Sequence, residues 1–189
     1  MIAAAALALA LGTAAPDTAF VTLEDGAIVA ADWVERRGAT YHSLQSLTQS
    51  GFRDVRVTLR ADGTADSAVT RVWNAGATPG APTVRALGAG AIAWSDQVAS
   101  SIELSVRRAR VLGGSDVHLP GASLYRDARA DIRVERLDAT DWVVTAGARR
   151  YEVLTDSSGA MLAATLPAYG VVIERRTGFA SATRITGAE

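Results

Sequence analysis

The chain contains no cysteine and no lysine, and its 189 residues include only two histidines, His42 and His118, and 6% aromatic residues. Without cysteine it has no disulfide scaffold, no thiol nucleophile and no thiolate-bound metal. The formal net charge is −1, so a nucleic-acid binder, which needs a basic surface, is not expected. Arginine supplies every basic position among abundant alanines, which we attribute to a GC-rich genome and not to function. The apolar share of 49% excludes general disorder.

The amino terminus has the layout of a secretory signal peptide. An uncharged apolar run from Ile2 to Leu11 is followed by Gly12 and Ala14, small residues that fit a cleavage site after Ala14. The run is shorter than the roughly 20 residues needed to span a bilayer, although no basic residue precedes it. We expect residues 1–14 to be removed on export to the periplasm or outside the cell, with no membrane span in the mature chain. A buried amino-terminal helix is the alternative.

Alternating apolar and polar residues predict β-strands along most of the remaining chain. In Asp54–Arg60 the apolar side chains occupy every second position, as in a half-buried strand. Asp62-Gly63, between two such stretches, predicts a hairpin turn. Asn74–Pro82 contains two glycines and two prolines and is expected to form a loop.

One segment has helical periodicity. Apolar residues recur at spacings of three and four between Val98 and Leu112 and form a single stripe. Ser95 is suited to cap the amino end of a helix, and Gly113 is suited to end it. The pattern predicts a helix over Asp96–Leu112.

The predicted order of elements is a β-meander, one helix and a second β-meander. These elements form a single β-rich domain over residues 15–176, followed by a loose tail at residues 177–189. A lone amphipathic helix among many strands must bury its apolar stripe on a sheet. We therefore expect a mainly β (α+β) fold, in which a curved antiparallel sheet or half-barrel wraps around the helix.

The sequence contains no recognisable catalytic or metal-binding motif. It has no G-x-S-x-G segment, and neither histidine has the spacing of a zinc site. Asp62–Asp66 resembles only a fragment of a calcium loop. We therefore predict no catalytic residues, no metal site and no cofactor. An enzyme is the third hypothesis for function, and it requires His42 or His118 to lie beside an acidic residue and a hydroxyl group in a cleft.

Three stretches resemble small, uncharacterised secreted β-rich domains of bacteria: Ser101–Gly114 (SIELSVRRARVLGG), Asp116–Pro120 and Val153–Glu174 (VLTDSSGAMLAATLPAYGVVIE). Such domains occur alone or ahead of α/β-hydrolase domains, and the family supplies no catalytic residues to carry over. The inferred architecture is also similar to the half-barrel of periplasmic lipoprotein carriers of the LolA type, without a carrier motif in the sequence. The resemblance implies an exported, β-rich domain.

The leading functional hypothesis is an exported, non-enzymatic domain that binds an apolar or amphipathic ligand, such as a lipid or acyl chain, between sheet and helix. The residues expected to line that site are Trp33, Trp73, Val98, Ile102, Val106 and Trp142. The second hypothesis is a protein-interaction or structural module of the cell envelope, an accessory domain related to the hydrolase-linked domains. Its surface would be an edge strand or the helix end that carries Arg107, Arg108 and Arg110.

Overall fold

A computed structural model describes residues 18–48 and 51–177. The predicted signal peptide and residues 178–189 of the predicted tail lie outside these ranges. Within them the chain forms thirteen β-strands, one α-helix and a short 3₁₀ turn at Pro167–Tyr169. The helix, α1, is Ala99–Leu112. The strands are β1 (Thr18–Glu24), β2 (Ala27–Arg37), β3 (Thr40–Leu47), β4 (Gly51–Leu59), β5 (Ala65–Trp73), β6 (Thr83–Ala86), β7 (Ile92–Trp94), β8 (Asp116–Ser123), β9 (Arg129–Arg136), β10 (Asp141–Ala146), β11 (Arg149–Thr155), β12 (Met161–Leu166) and β13 (Val171–Thr177).

These thirteen strands form one sheet, in the order β6-β5-β4-β3-β2-β1-β13-β12-β11-β10-β9-β8-β7. The strands β1–β6 supply one half of the sheet, and the strands after α1, with β7 at their edge, supply the other. The halves join at the centre because β1 pairs with β13, from Thr18 opposite Thr177 to Glu24 opposite Val171. The prediction of a mainly β fold with two meanders around one helix is confirmed.

The sheet curves around α1 but does not close into a barrel. α1 packs against β7, β8, β9 and β10 in one half of the sheet and against β2 in the other. Between the two edges, the link from β6 to β7 makes backbone hydrogen bonds to the start of β5. The Ala65 N–H donates to the carbonyl oxygen of Ala91 at 2.7 Å. The Leu87 N–H donates to the carbonyl oxygen of Asp66 at 3.0 Å. The predicted curved sheet is therefore confirmed.

One strand pair departs from the expected antiparallel arrangement. β7 runs parallel to β8, with Ile92 opposite Gly121 and Trp94 opposite Ser123. α1 connects these two strands, and a helical crossover returns the chain in its original direction, which produces a parallel pair. β7 was not predicted, because its three residues are all buried and show no alternation of apolar and polar side chains.

The helix begins three residues later than predicted. Gln97 has a φ of 59°, in the left-handed region, so the chain cannot continue a right-handed helix through it. Val98 becomes the N-cap and supplies no side-chain hydrogen bond, while the Ser95 N–H donates to the Ser101 hydroxyl at 3.0 Å. The carboxyl end is as predicted, because Gly113 has a φ of 74° and ends the helix.

The apolar stripe of α1 forms the centre of the core. Ile102, Val106 and Ala109 are fully buried in a cluster that includes residues of both meanders. Leu112 was expected on the same stripe but is 49% exposed, and its neighbour Val111 is 70% exposed. The last turn of the helix thus projects beyond the packed interior.

Candidate functional site

The residues expected to line a ligand site divide between the two faces of the sheet. Val98, Ile102, Val106 and Trp142 are at most 2% exposed and lie on the inner side, which faces α1. Trp33 lies on the outer face, in a small separate cluster with Ala19 and Ala31. Trp73 also lies on the outer face, where its ring stacks on Phe52 at a centroid distance of 5.4 Å. The structure therefore brings four of the six residues together and separates the two outer tryptophans from them.

A pocket on the outer face of β2–β5 combines an apolar lining with charged groups. It has a volume of about 290 Å³, and we call it the outer pocket. The loop after β5 contributes Pro79 to its wall. Its lining residues are Glu35, Arg37, Thr40, His42, Leu44, Asp54, Arg56, Arg71, Trp73 and Pro79.

The register of the strands explains why these side chains meet. Leu44 of β3 lies opposite Asp54 of β4, which lies opposite Arg71 of β5. On the same face, His42 lies opposite Arg56. Directly opposite residues of an antiparallel pair point to the same side of the sheet, about 5 Å apart. The pocket is thus made of cross-strand neighbours that are distant in sequence.

His42 and Asp54 form the central polar pair of the outer pocket. The His42 Nε2 atom lies 2.6 Å from Asp54 Oδ1, and both side chains are largely buried. Burial raises the pKa of Asp54, but the hydrogen bond and charge of His42, with Arg56 and Arg71, outweigh this and hold the pKa below its usual value. In the part of the chain that the structure describes, Asp54 is the one hydrogen-bond partner of the His42 ring. His42 thus lies beside an acidic residue, but no described hydroxyl group is hydrogen-bonded to it.

Arg71 presents an unpaired donor in this pocket. Its Nε atom is buried and has no hydrogen-bond acceptor among the described residues. A buried donor without a partner costs about 1–3 kcal/mol, so an acceptor at this point would stabilise the protein. Beside this guanidinium group, Leu44, Trp73 and Pro79 supply apolar surface. The outer pocket can therefore receive a ligand that has an apolar part and an anionic or hydrogen-bond-accepting part.

A second polar group lies on the inner face, near the amino end of α1. Asp32 lies opposite Gln45, and Gln45 lies opposite Arg53, so the three form one row across β2, β3 and β4. Asp32 is 1% exposed and Gln45 is 4% exposed. The Ser43 hydroxyl donates to Asp32 Oδ1 at 2.6 Å. Asp32 Oδ2 and Gln45 Oε1 accept no hydrogen bond from the described residues.

Burial raises the pKa of Asp32 to about 7. The hydrogen bond from Ser43, the backbone N–H of Ala99 and the charge of His42 oppose this rise, and the nearby Glu103 carboxylate reinforces it. Asp32 is therefore a buried carboxyl group whose pKa lies near neutral pH.

His118, the other histidine considered for catalysis, also lies beside a carboxylate, but at an exposed position. Its Nδ1 atom is 3.2 Å from Asp131 Oδ2, and the two side chains are 61% and 75% exposed. Among the described residues, no group of three or more histidines and carboxylates is arranged to hold a metal ion. No helix in the described ranges is long and apolar enough to cross a membrane.

The arginines at the carboxyl end of α1 are held by internal contacts. Arg107 Nε lies 2.7 Å from Glu103 Oε1, and Arg108 reaches Asp62 Oδ2 at 3.4 Å. Arg110 donates to a backbone carbonyl oxygen at 2.9 Å. Arg108 and Arg110 thus tie the helix end to neighbouring turns, and all three arginines already have partners, which makes this end less suited to be an open interaction surface.

The described residues thus form a curled, mostly antiparallel sheet around one helix, with polar groups on both faces of the sheet. No protein-family model and no curated protein matches the sequence. The structure is similar to the crystal structure, at 1.80 Å resolution, of a DUF1089 family protein from Pseudomonas aeruginosa. The TM-score is 0.55 and the sequences are 15% identical, over 74% of this chain and 90% of that chain. This likeness shows the fold alone, and the uncharacterised neighbour gives no indication of catalysis.

The sequence missed the outer pocket as a site. It named Trp73, but His42, Asp54 and Arg71 were not grouped because their pairing depends on strand register. The alternation within Asp54–Arg60 was the one usable indication, since it puts Asp54 on the same face as Arg56 and opposite to the face of Val55 and Val57.

Proposed function

We propose that this protein is a non-enzymatic binding domain for an amphipathic ligand with an anionic end, and that the outer pocket holds this ligand. The observation that carries the proposal is the buried, unpaired Arg71 Nε beside the apolar surface of Leu44 and Trp73. The anionic end accepts a hydrogen bond from Arg71, and the apolar part lies against Trp73.

The expected ligand site between sheet and helix is less favourable for this function. Ile102, Val106 and Trp142 pack within the main core, so a ligand there would have to displace well-packed side chains. The outer pocket needs no such displacement. Its volume of about 290 Å³ lies at the small end of ligand pockets, which suits a single short chain or the end of a longer one.

Titration of the protein with a fluorescent fatty acid tests this function. We expect saturable binding that both Arg71→Gln and Trp73→Ala weaken at least tenfold, since a charge-assisted hydrogen bond contributes about 1.5–3 kcal/mol. Arg150→Gln is the matched control, because it also removes one positive charge but lies outside the pocket. Binding that neither pocket variant changes would exclude the outer pocket, and an absence of saturable binding would exclude the function.

An envelope protein-interaction module is the second candidate, and the edge of the sheet favours it. β6 ends the strand order, so it pairs only with β5, and its Val84 is 68% exposed. An open edge strand can pair with an extended segment of another protein. A partner from envelope extract that binds the wild-type protein, but not Val84→Lys, would support this function over ligand binding.

We also infer that the protein is exported. This inference rests on the apolar run and small residues within residues 1–14, and the stretches similar to secreted β-rich domains support it. The mass of the protein recovered from an expressing bacterium tests it. Cleavage after Ala14 gives a mature chain that begins at Ala15, whereas a retained Met1 in a cytoplasmic fraction would contradict export.

A further inference from the structure

A broad basic groove lies at one end of the curled sheet, on a different surface from the outer pocket. It has a volume of about 900 Å³ and runs between Arg53 on β4, the Ser95–Gln97 segment before α1, and β8–β10. We call it the mouth groove. Five arginines and two aspartates line it. The groove is therefore positively charged, although the whole chain carries a formal net charge of −1.

The acidic residues of the mouth groove and two of its arginines are already paired. Arg149 lies 3.1 Å from Asp96, and Asp131 lies 3.2 Å from His118. Arg133 contacts two carboxylates outside the groove lining, at 2.8 and 2.9 Å. Of the five arginines that line the groove, Arg53, Arg126 and Arg129 remain without a carboxylate partner among the described residues.

Arg53, Arg126 and Arg129 form no ion pair with any carboxylate in residues 18–48 and 51–177. The Arg53 guanidinium lies over the Tyr125 ring, 5.3 Å from its centroid, which orients the group without neutralising it. Arg126 and Arg129 are exposed at either end of the turn between β8 and β9. Three guanidinium groups without carboxylate partners thus face a concave surface.

Two further features, one beside the groove at Arg85 and one in its wall at Gln97, have a fixed geometry. Arg85 donates to the Tyr125 carbonyl oxygen at 3.3 Å, and its buried Nε has no acceptor among the described residues. Gln97, in the groove wall, keeps its left-handed backbone, and its N–H donates to the Tyr151 hydroxyl at 3.2 Å. Such strained positions occur where the surrounding structure fixes a functional geometry.

We propose that the mouth groove binds a multiply charged phosphoryl group, held by Arg53, Arg126 and Arg129. The planar guanidinium group matches two oxygens of a phosphate at once, which makes arginine the preferred residue for this anion. Three unpaired cations exceed the charge of a single carboxylate and suit a phosphate monoester or a diphosphate. The phosphoryl group belongs either to a soluble phosphate ester or to an anionic lipid head group, and the chemistry of recognition is the same.

Calorimetric titration of the full chain with inorganic pyrophosphate at low salt tests the soluble source. Co-sedimentation with phosphatidylcholine vesicles, with and without phosphatidic acid, tests the lipid source. Arg126→Gln/Arg129→Gln removes two groove arginines from exposed positions. Arg36→Gln/Arg150→Gln is the charge-matched control, because both of its residues are exposed and lie outside the groove. Urea unfolding of each variant verifies that the fold is retained.

We expect the groove variant to raise the dissociation constant of pyrophosphate or of phosphatidic acid vesicles at least tenfold, and the control variant to change it less than twofold. Binding of pyrophosphate assigns a soluble phosphate ester, and binding of phosphatidic acid vesicles alone assigns a lipid head group. Arg71→Gln, in the outer pocket, leaves the dissociation constant of pyrophosphate unchanged. The proposal is overturned if the wild-type protein binds neither probe, or if the groove and control variants weaken binding equally.

Discussion

The buried carboxyl group of Asp32 makes a quantitative prediction about stability. Its folded-state pKa is about 7, against an ordinary value of 3.8, chiefly because burial disfavours the charged form. In the unfolded chain the group is exposed and ionises near its ordinary pKa. The folded state therefore binds more protons than the unfolded state between these two values, and stability must fall as pH rises through that interval.

The size of the effect follows from the difference between the two pKa values. Each pH unit corresponds to about 1.36 kcal/mol, so the contribution lost between about pH 4 and about pH 7 is on the order of 4 kcal/mol. Above this interval both states are ionised and the loss levels off. This is a large fraction of the about 5–15 kcal/mol by which domains are stable.

Urea unfolding of the wild-type protein and Asp32→Asn at several pH values from about 5 to about 8 isolates this contribution. The asparagine side chain of the variant cannot ionise, so we expect the difference in free energy of unfolding to move in favour of the variant by roughly 2 kcal/mol from about pH 5 to about pH 7. Asp127→Asn, at an exposed position, is the control and should follow the wild-type curve. A constant difference between the wild-type protein and Asp32→Asn across this range would refute the reasoning.

Two further predictions concern packing and backbone conformation. Ile102→Ala removes a fully buried side chain at the centre of the core and should lower the free energy of unfolding by about 2–5 kcal/mol in urea. The same measurement should find Val111→Ala, on the exposed side of the helix, within about 0.5 kcal/mol of the wild-type protein. Gly51→Ala should destabilise severely, because Gly51 has a φ of 107° and an added Cβ would lie 2.1 Å from the Trp73 carbonyl oxygen. Gly63→Ala, also at positive φ but in open space, should cost only about 1 kcal/mol, and equal thermal midpoints for the two glycine variants would contradict this account.

The sequence predicted those features of the fold that depend on near neighbours. Alternation over Asp54–Arg60 predicted β4, and Asp62-Gly63 predicted the hairpin, in which the Thr64 N–H donates to Asp62 at 3.0 Å. The apolar stripe predicted α1 and its end at Gly113. The start of α1 could not be predicted, because Gln97 adopts a left-handed conformation in which its N–H donates to the hydroxyl of Tyr151, 54 residues away in sequence.

The candidate sites were harder to predict because they depend on strand register. His42 and Asp54 are 12 residues apart and meet only once β3 and β4 are aligned. The same alignment of β2, β3 and β4 places Asp32, Gln45 and Arg53 in one row on the inner face. A register shifted by one residue would send each of these side chains to the opposite face. Alternation assigns residues to faces but does not specify which strands are adjacent.

The sequence by itself determined the type of most elements, the number of helices in the described ranges and the absence of cysteine chemistry. These properties follow from residue identity and from periodicity over a few positions. Only the tertiary structure decided that β1 pairs with β13, that β7 runs parallel to β8, and that unpaired arginines face the mouth groove. Such contacts join distant parts of the chain, and their free energies depend on which surfaces fit together and not on any local pattern.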